Sequence, residues 1–167
     1  MFLRHSSRIL LIATITLPAL AGKDDFRFMQ TESIGALRIG LSRNHVLRTV
    51  GSNPTAGPIE LWDADGNYHQ QLKFPAQGIK VYLVSHSQSA AQSVESICVT
   101  APCTLATKRG IRIGSSERDV VNSYKSHQNK EESEPGFTFV AGTTYGGLIF
   151  QFKDGRVSQI FLGPASE

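Results

Sequence analysis

The chain has 167 residues, of which 40% are hydrophobic and 19% are charged; this composition is typical of a folded globular protein and excludes a disordered chain. Its 17 Lys and Arg residues outnumber its 14 Asp and Glu residues, but two of the arginines lie in residues 1–21, which contain no acid. Beyond residue 21 the formal net charge is only +1, so we do not expect a nucleic-acid-binding protein.

Residues 1–21 have the pattern of a signal peptide. Two arginines precede an apolar run over residues 9–17, and an Ala-Leu-Ala sequence that ends at Ala21 places small residues where signal peptidase cleaves. The run is too short for a transmembrane anchor, which needs about 20 apolar residues, and no cysteine directly follows Ala21 for lipid attachment. We expect cleavage after Ala21 and a mature protein without a membrane anchor, in the periplasm or outside the cell.

The clearest pattern in the rest of the chain is an internal repeat. Residues 36–47, ALRIGLSRNHVL, return as residues 110–121, GIRIGSSERDVV, and each copy is followed by similar strand-like runs. We therefore predict a duplication with a junction near residues 101–108. The predicted regions are a signal peptide (1–21), an N-terminal extension (22–33), repeat 1 (34–103) and repeat 2 (104–167).

Each repeat is predicted to contain one helix followed by antiparallel strands. Ser42 in the first copy, and Ser115 or Ser116 in the second, are suitable N-cap residues, and Gly51 is suited to end the first helix. The apolar residues that share a helical face are Val46, Leu47 and Val50 in the first copy and Val120, Val121 and Tyr124 in the second.

Alternating polar and apolar residues predict half-buried strands over residues 68–74 and 79–83. Asp65-Gly66 and Asp154-Gly155 stand between such runs, and an Asp-Gly pair is typical of a two-residue hairpin. Because hairpins join antiparallel strands, we expect the α+β fold class.

The two cysteines of the chain are Cys98 and Cys103. In an oxidising compartment we expect a disulfide between them, which closes a short loop and contributes about 2 kcal/mol. A zinc site would need two further ligands, and no His or Cys lies close by in the sequence.

Motifs of enzyme chemistry are absent from the sequence, which contains no nucleophile elbow, zinc-protease helix or phosphate-binding loop. Asp63-x-Asp65-x-Asn67 resembles the start of a calcium loop, but Phe74 stands where that loop needs Glu, so a turn is predicted. We expect no catalytic residue, cofactor or metal; a small hydrolase with an unrecognised site is the alternative. The four histidines beyond residue 21 are scattered singly: His45, His69, His86 and His127.

The repeated element resembles one found in the β-lactamase inhibitory proteins and in the SmpA/OmlA outer-membrane assembly lipoproteins. Residues 38–51, RIGLSRNHVLRTVG, are similar to the element Val-Gly-Met-Thr-Arg-x-x-Val-Leu-x-x-Val-Gly of these families. The second copy departs from it at Ser115, where Met or Leu is usual, and at Lys125, where the closing Gly would stand. Two copies fit the tandem inhibitors better, so the resemblance implies two tandem helix-plus-antiparallel-strand repeats that share a sheet.

A further resemblance concerns residues 64–68, ADGNY, which are similar to the Ala-Ala-Gly-Asp-Tyr hairpin of the inhibitors. The tip of that hairpin enters the enzyme that it blocks, and Asn67 stands here at the position of the inserting acid. The resemblance implies a protein partner, an enzyme or a toxin, that contacts the sheet face and the hairpin. The residues expected to bind it are Trp62, Asp63, Asp65, Asn67, Tyr68 and Tyr82.

Trp62 has a second interpretation, as a core residue at the end of a strand. The function expected from these patterns is a non-enzymatic, periplasmic or secreted protein-binding module of the inhibitor or immunity type. The alternative is a structural or assembly factor of the cell envelope, as in the lipoproteins.

Overall fold

Short helices and antiparallel strands make up the computed structural model, which describes residues 23–51 and 53–165. The helices of this part of the chain are α1 (Lys23–Thr31), α2 (Arg43–Val50) and α3 (Glu117–Tyr124). The expected α+β class is confirmed, whereas the predicted signal peptide lies outside the described residues. The strands are β1 (Thr55–Ala56), β2 (Glu60–Trp62), β3 (Asn67–Phe74), β4 (Ile79–Ser85), β5 (Ser93–Thr100), β6 (Thr138–Thr143), β7 (Gly146–Lys153) and β8 (Arg156–Gly163).

The strands form one sheet in the order β1-β3-β4-β5-β8-β7-β6, and β2 pairs with β3 along the same edge as β1. Every strand pairing is antiparallel, as the hairpin signals predict. In the middle of the sheet β5 pairs with β8, where Ile97 lies opposite Leu162 and Val99 opposite Ile160.

The hydrophobic core lies on one face of the sheet and contains residues of all three helices. On the helices, Val46, Val120 and Tyr124 are buried, and Leu47, Val50 and Val121 pack partly buried against the core, so the predicted helical faces are confirmed. Successive strand residues point to opposite faces of a sheet. The side chains between the core residues therefore form a second face, which we call the outer face.

The two Asp-Gly pairs form different turns. Asp154 and Gly155 make the predicted two-residue hairpin between β7 and β8, and both have positive φ angles, 53° and 70°, as a type I′ turn requires. The turn between β2 and β3 is longer than predicted, because Trp62 pairs with Asn67 and four residues separate them. Gly66 closes this turn by donating its N–H to the carbonyl of Trp62 at 2.9 Å.

The backbone segments that precede helices α2 and α3 have the same arrangement. Gly40 and Gly114 precede them with φ angles of 78° and 86°, which favour glycine. The N–H of Gly40 donates to the carbonyl of Val94, and that of Gly114 donates to the carbonyl of Val157, each at 2.8 Å. Each glycine therefore fastens the start of its helix to a strand of the sheet.

Helix α1 lies in the segment that the sequence predicts only as an extension. Its residues Phe28 and Met29 are buried in the core, and α1 packs against β7 and β6. Glu32, just after α1, is buried and accepts a hydrogen bond from the Tyr124 hydroxyl at 3.3 Å. Burial raises the pKa of Tyr124 further above the neutral range, in which its hydroxyl is a donor.

The structure does not contain the expected Cys98–Cys103 disulfide, and both thiols are free and buried. Cys98 lies on the outer face, between Ile97 and Val99, whose side chains are in the core, whereas Cys103 belongs to the core itself. Their positions on different sides of the sheet account for the missing bond. Burial raises the pKa of each thiol, which disfavours the reactive thiolate.

Candidate protein-binding site

Three of the residues predicted to bind a partner line one cavity on the outer face: Trp62, Asp65 and Tyr82. Glu95 and Phe161 line the same cavity, whose volume is about 420 Å³. They come from β2, the β2–β3 turn, β4, β5 and β8, so the cavity crosses the middle of the sheet. The sheet thus brings together side chains that are up to 99 residues apart in the chain.

His69 occupies the floor of this site and is held on three sides. Only 6% of its side chain is exposed, and its Nδ1 lies 3.0 Å from Oε2 of Glu95, while its Nε2 lies 3.1 Å from Oδ2 of Asp65. The Trp62 ring stacks on the imidazole with 4.0 Å between ring centroids and 17° between planes. A neutral imidazole has one N–H, so only the imidazolium can donate to both carboxylates at once.

The carboxylate of Asp65 also fixes the turn that carries it. Its Oδ1 accepts a hydrogen bond from the Asn67 backbone N–H at 3.0 Å, and its Oδ2 accepts one from the Asn67 side-chain amide at 2.9 Å. These bonds lower the pKa of Asp65 from 3.8 to about 2, the side-chain bond more than the backbone bond. Oδ1 of Asn67 in turn lies 3.1 Å from Nδ1 of His86. The turn is therefore presented in a fixed conformation.

Asp65, His69 and Glu95 are of residue types that commonly bind metal ions. One ligand atom from each of Asp65, His69 and Glu95 lies within 4.8 Å of the others, a grouping that the sequence did not predict. However, the two carboxylates face different nitrogens of the ring. An ion bound in the ring plane at one nitrogen would meet only one of them. The geometry fits a histidine held between two carboxylates better than a three-ligand metal centre.

Trp62 is a surface residue that is 43% exposed, so its interpretation as a core residue is wrong. Its neighbour Leu61 is 52% exposed. One face of the Trp62 ring is covered by His69, so the exposed part is held rigidly. A large, ordered and exposed aromatic side chain is typical of a protein-binding hot spot.

The remaining predicted residues do not line the cavity. Tyr68 precedes His69 in β3 and therefore points to the opposite side of the sheet, and it is half-buried opposite Leu61. Asp63 is exposed on the turn, and the side chain of Asn67 is used within the turn, where it bonds to Asp65. The hairpin therefore supports the site more than it forms its surface.

Glu95 reaches the cavity because β5 contains an extra residue at this point. Tyr82 lies opposite Ser96 and Leu83 lies opposite Val94, so Glu95 has no opposing residue in β4. Such a β-bulge changes the direction of the side chain that it contains. Sequence periodicity gives no signal for a bulge, so Glu95 was not predicted. His69 and Phe161 were missed as well, although the Asp65–His69 spacing of four residues across a turn is a local feature.

A larger cavity, of about 670 Å³, lies beside α1 and is lined by Phe28, Arg109 and His127 among others. The Arg109 guanidinium is already engaged there: it donates to the Ser123 carbonyl and to Nε2 of His127, each at 2.8 Å, and lies 3.6 Å from Glu32. His127 stacks on Phe28 at 4.5 Å. These contacts hold α1 against the rest of the fold. Arg109 and His127 therefore have a structural role at this cavity.

Comparisons with protein-family models, with curated proteins and with solved structures find no match to this chain. Within the described ranges, no helix combines the length and the apolar character needed to cross a membrane. A function therefore has to be argued from the outer-face site itself.

Proposed function

We propose that the protein is a non-enzymatic protein-binding module, of the inhibitor or immunity type, that captures an enzyme or a toxin through the cavity on its outer face. The observation that carries this proposal is the arrangement of Trp62, which is exposed and yet fixed by stacking on His69. A side chain that is already ordered loses little rotamer entropy when a partner covers it. Its contact area is therefore available for affinity.

The surroundings of Trp62 support the same proposal. Tyr82 and Phe161 add two aromatic side chains to the cavity, and the carboxylates of Asp65 and Glu95 are beside them. Interfaces between proteins are centred on such aromatic groups, which are surrounded by polar ones. The sheet beneath these residues supplies a rigid base.

We further propose that the chain is a tandem duplication whose two repeats share the sheet. The strand order β3-β4-β5-β8-β7-β6 supports this, because it reads as three strands followed by their counterparts in reverse. Matching backbone hydrogen bonds support it as well. The N–H of Val94 donates to the carbonyl of Leu41 at 2.8 Å, and the N–H of Val157 donates to that of Ser115 at 2.9 Å. This architecture agrees with the resemblance to the β-lactamase inhibitory proteins.

Secretion after cleavage at Ala21 also remains a proposal. It rests on the signal-peptide pattern of residues 1–21. The intact mass of the exported protein should correspond to a chain that starts at Gly22. Titration of the unreduced, unfolded protein should find two free thiols, as in this structure. A result of no free thiol would show that the disulfide forms in solution.

The function is tested by capturing a partner from periplasmic extract with the tagged mature protein and with two variants. Trp62→Ala should weaken retention of the captured protein at least tenfold, because it removes the proposed hot spot. Tyr145→Ala is the matched control: Tyr145 is a 72% exposed aromatic residue in the β6–β7 turn, outside the cavity. Thermal denaturation shows whether each variant is folded.

Equal retention by both folded variants would contradict the proposal. The identity of the captured protein separates the two candidate functions. A soluble enzyme or a toxin supports an inhibitor or immunity protein. A component of the outer-membrane assembly machinery supports the alternative, an envelope assembly factor, whose family shares the resemblance of residues 38–51.

A further inference from the structure

We propose that the outer-face cavity receives a cationic side chain, a lysine or an arginine, that projects from the partner protein. This inference rests on the proposed function, since it states what the partner places in the site. The argument depends on the charge of the cavity, on its aromatic groups and on the distribution of lysines across the outer face.

The cavity has a net negative charge. Among the described residues that line it, the acids are Asp65 and Glu95 and no Lys or Arg is present. His69 contributes at most one positive charge between them, and its two ring nitrogens already face the two carboxylates. An incoming carboxylate would thus meet two like charges and no cationic donor other than His69, only the neutral N–H and O–H groups of Trp62, Tyr82 and Ser96. An incoming cation meets both carboxylates.

Both carboxylates remain accessible. The side chain of Asp65 is 40% exposed and that of Glu95 is 27% exposed, although each is in contact with His69. A carboxylate has two oxygens and about four acceptor sites. Glu95 uses one of them for His69, whereas Asp65 accepts two bonds from Asn67 and faces His69, so Glu95 keeps most of its acceptor capacity and Asp65 keeps about one site. Asp65 is ionised throughout the neutral range, and the hydrogen bonds from Asn67 stabilise its charged form further.

The aromatic side chains favour a cation in the same place. Trp62, Tyr82 and Phe161 line the cavity together with the two acids. The negative face of an aromatic ring attracts an ammonium or guanidinium group, and Trp is the strongest of the three. The aliphatic part of Lys or Arg also packs on such rings while its charged end reaches the carboxylates.

The lysines of the outer face lie at a distance from the acids along the strands. Lys73 of β3 pairs with Lys80 of β4, whereas His69 is four residues away from Lys73 along the same strand. One end of the outer face is therefore basic and the other is acidic. This separation would direct a basic side chain of the partner to the end that contains Asp65 and Glu95.

Fluorescence of the single tryptophan, Trp62, provides a direct test in the purified protein. The probes are N-acetyl-arginine methylamide and N-acetyl-lysine methylamide, titrated at constant ionic strength. N-acetyl-norleucine methylamide is the uncharged control of similar length, and N-acetyl-glutamate methylamide is the anionic one. We expect saturable binding of the two cations with dissociation constants of roughly millimolar size, as is ordinary for such small ligands, and no saturable binding of the other two.

A pair of variants links the signal to the cavity. Glu95→Gln should weaken binding of the arginine probe at least tenfold, because it removes one of the two carboxylates. Glu131→Gln is the matched control, since Glu131 is exposed in the loop before β6 and does not line the cavity. Melting curves establish that both variants are folded.

The outcomes distinguish this inference from the function on which it rests. Binding of the norleucine or glutamate probe as tight as that of arginine, or an unchanged affinity in folded Glu95→Gln, would overturn the cationic ligand. If the cations do not bind while Trp62→Ala still loses the captured partner, the protein-binding function stands and only the inference fails. If the cations bind while Trp62→Ala retains the partner, the cavity is a cation site and the proposed function fails.

Discussion

The segments that lead into α2 and α3 have the same backbone arrangement but different polar side chains. In both, a glycine with positive φ donates to a strand carbonyl, and a fully buried valine, Val46 or Val120, follows in the helix. The cap differs: the Ser42 side chain makes no capping bond, whereas Ser116 forms a capping box with Asp119. The comparison teaches that the glycine and the buried valine define this entry, while the polar cap is optional.

A second difference lies at the two edges of the sheet. The outer edge of β3 is paired with β1 and β2, and β2 provides Trp62. The outer edge of β6 is instead bonded by loop residues: Asn129 donates to the carbonyl of Val140, and Glu134 donates to that of Thr138, each at 2.8 Å. The candidate site therefore lies where the first half of the chain adds a strand that the second half lacks.

The largest effect is expected from Gly78→Ala in the turn between β3 and β4. Gly78 has a φ of 65°, and an added Cβ would clash with the backbone of Thr100 and Cys103. The backbone there has to move, so we expect a loss of about 3 kcal/mol or more.

Gly66→Ala in the β2–β3 turn is the matched control for this change. Gly66 has a similar φ of 70°, but no atom lies within 4 Å of an added Cβ. Only the conformational cost of about 1–2 kcal/mol should remain. Urea denaturation measures both variants. Similar losses in the two would show that Gly78 is not in close contact with the segment that joins the proposed repeats.

The next effect tests the equivalence of the two helices. Val46→Ala and Val120→Ala should each lower the free energy of unfolding by about 1–3 kcal/mol, because both side chains are completely buried in the core. His45→Ala, on the exposed face of α2, should have little effect. If either valine could be truncated without a change in the denaturation midpoint, its helix would not pack as described here.

These local features are the ones that the sequence predicted well. The helical faces, the type I′ turn at Asp154-Gly155 and the antiparallel strands depend on patterns within a few residues. Helix α1 was missed because its described core contacts come from only two residues, Phe28 and Met29, too few for a periodic pattern. The grouping of His69 with Glu95 depends on strand register and on a bulge, which no local pattern specifies.

A smaller effect should separate the two helix caps. Ser116→Ala should cost about 0.5–2 kcal/mol, since it removes the hydroxyl that accepts from the Asp119 N–H at 3.2 Å. Ser42→Ala should cost less, because the Ser42 side chain makes no such bond. If both variants lost the same free energy of unfolding in thermal or chemical denaturation, the capping box of α3 would contribute no stability.

The smallest effect is expected on lowering the pH, and it arises in the β2–β3 turn, which contains Asp65. The pKa of Asp65 is lowered from 3.8 to about 2, chiefly by the side-chain bond from Asn67. A carboxyl with a depressed pKa in the folded state contributes stability that is fully present above its unfolded value. The contribution is lost as the pH falls from about 3.8 towards 2. Because Asp65 is solvent-exposed, we expect this contribution to be small.

The titration of Asp65 itself is a sharper measurement than stability. NMR of the side-chain carboxyl carbon should give a midpoint near 2 in the wild-type protein, and Asn67→Ala should raise it, since that variant removes the largest cause of the shift. A wild-type midpoint near 3.8 would show that the turn is not closed by these bonds in solution. In that case Asp65 would lose its fixed position beside His69, and the carboxylate at this end of the cavity would be mobile when a partner arrives.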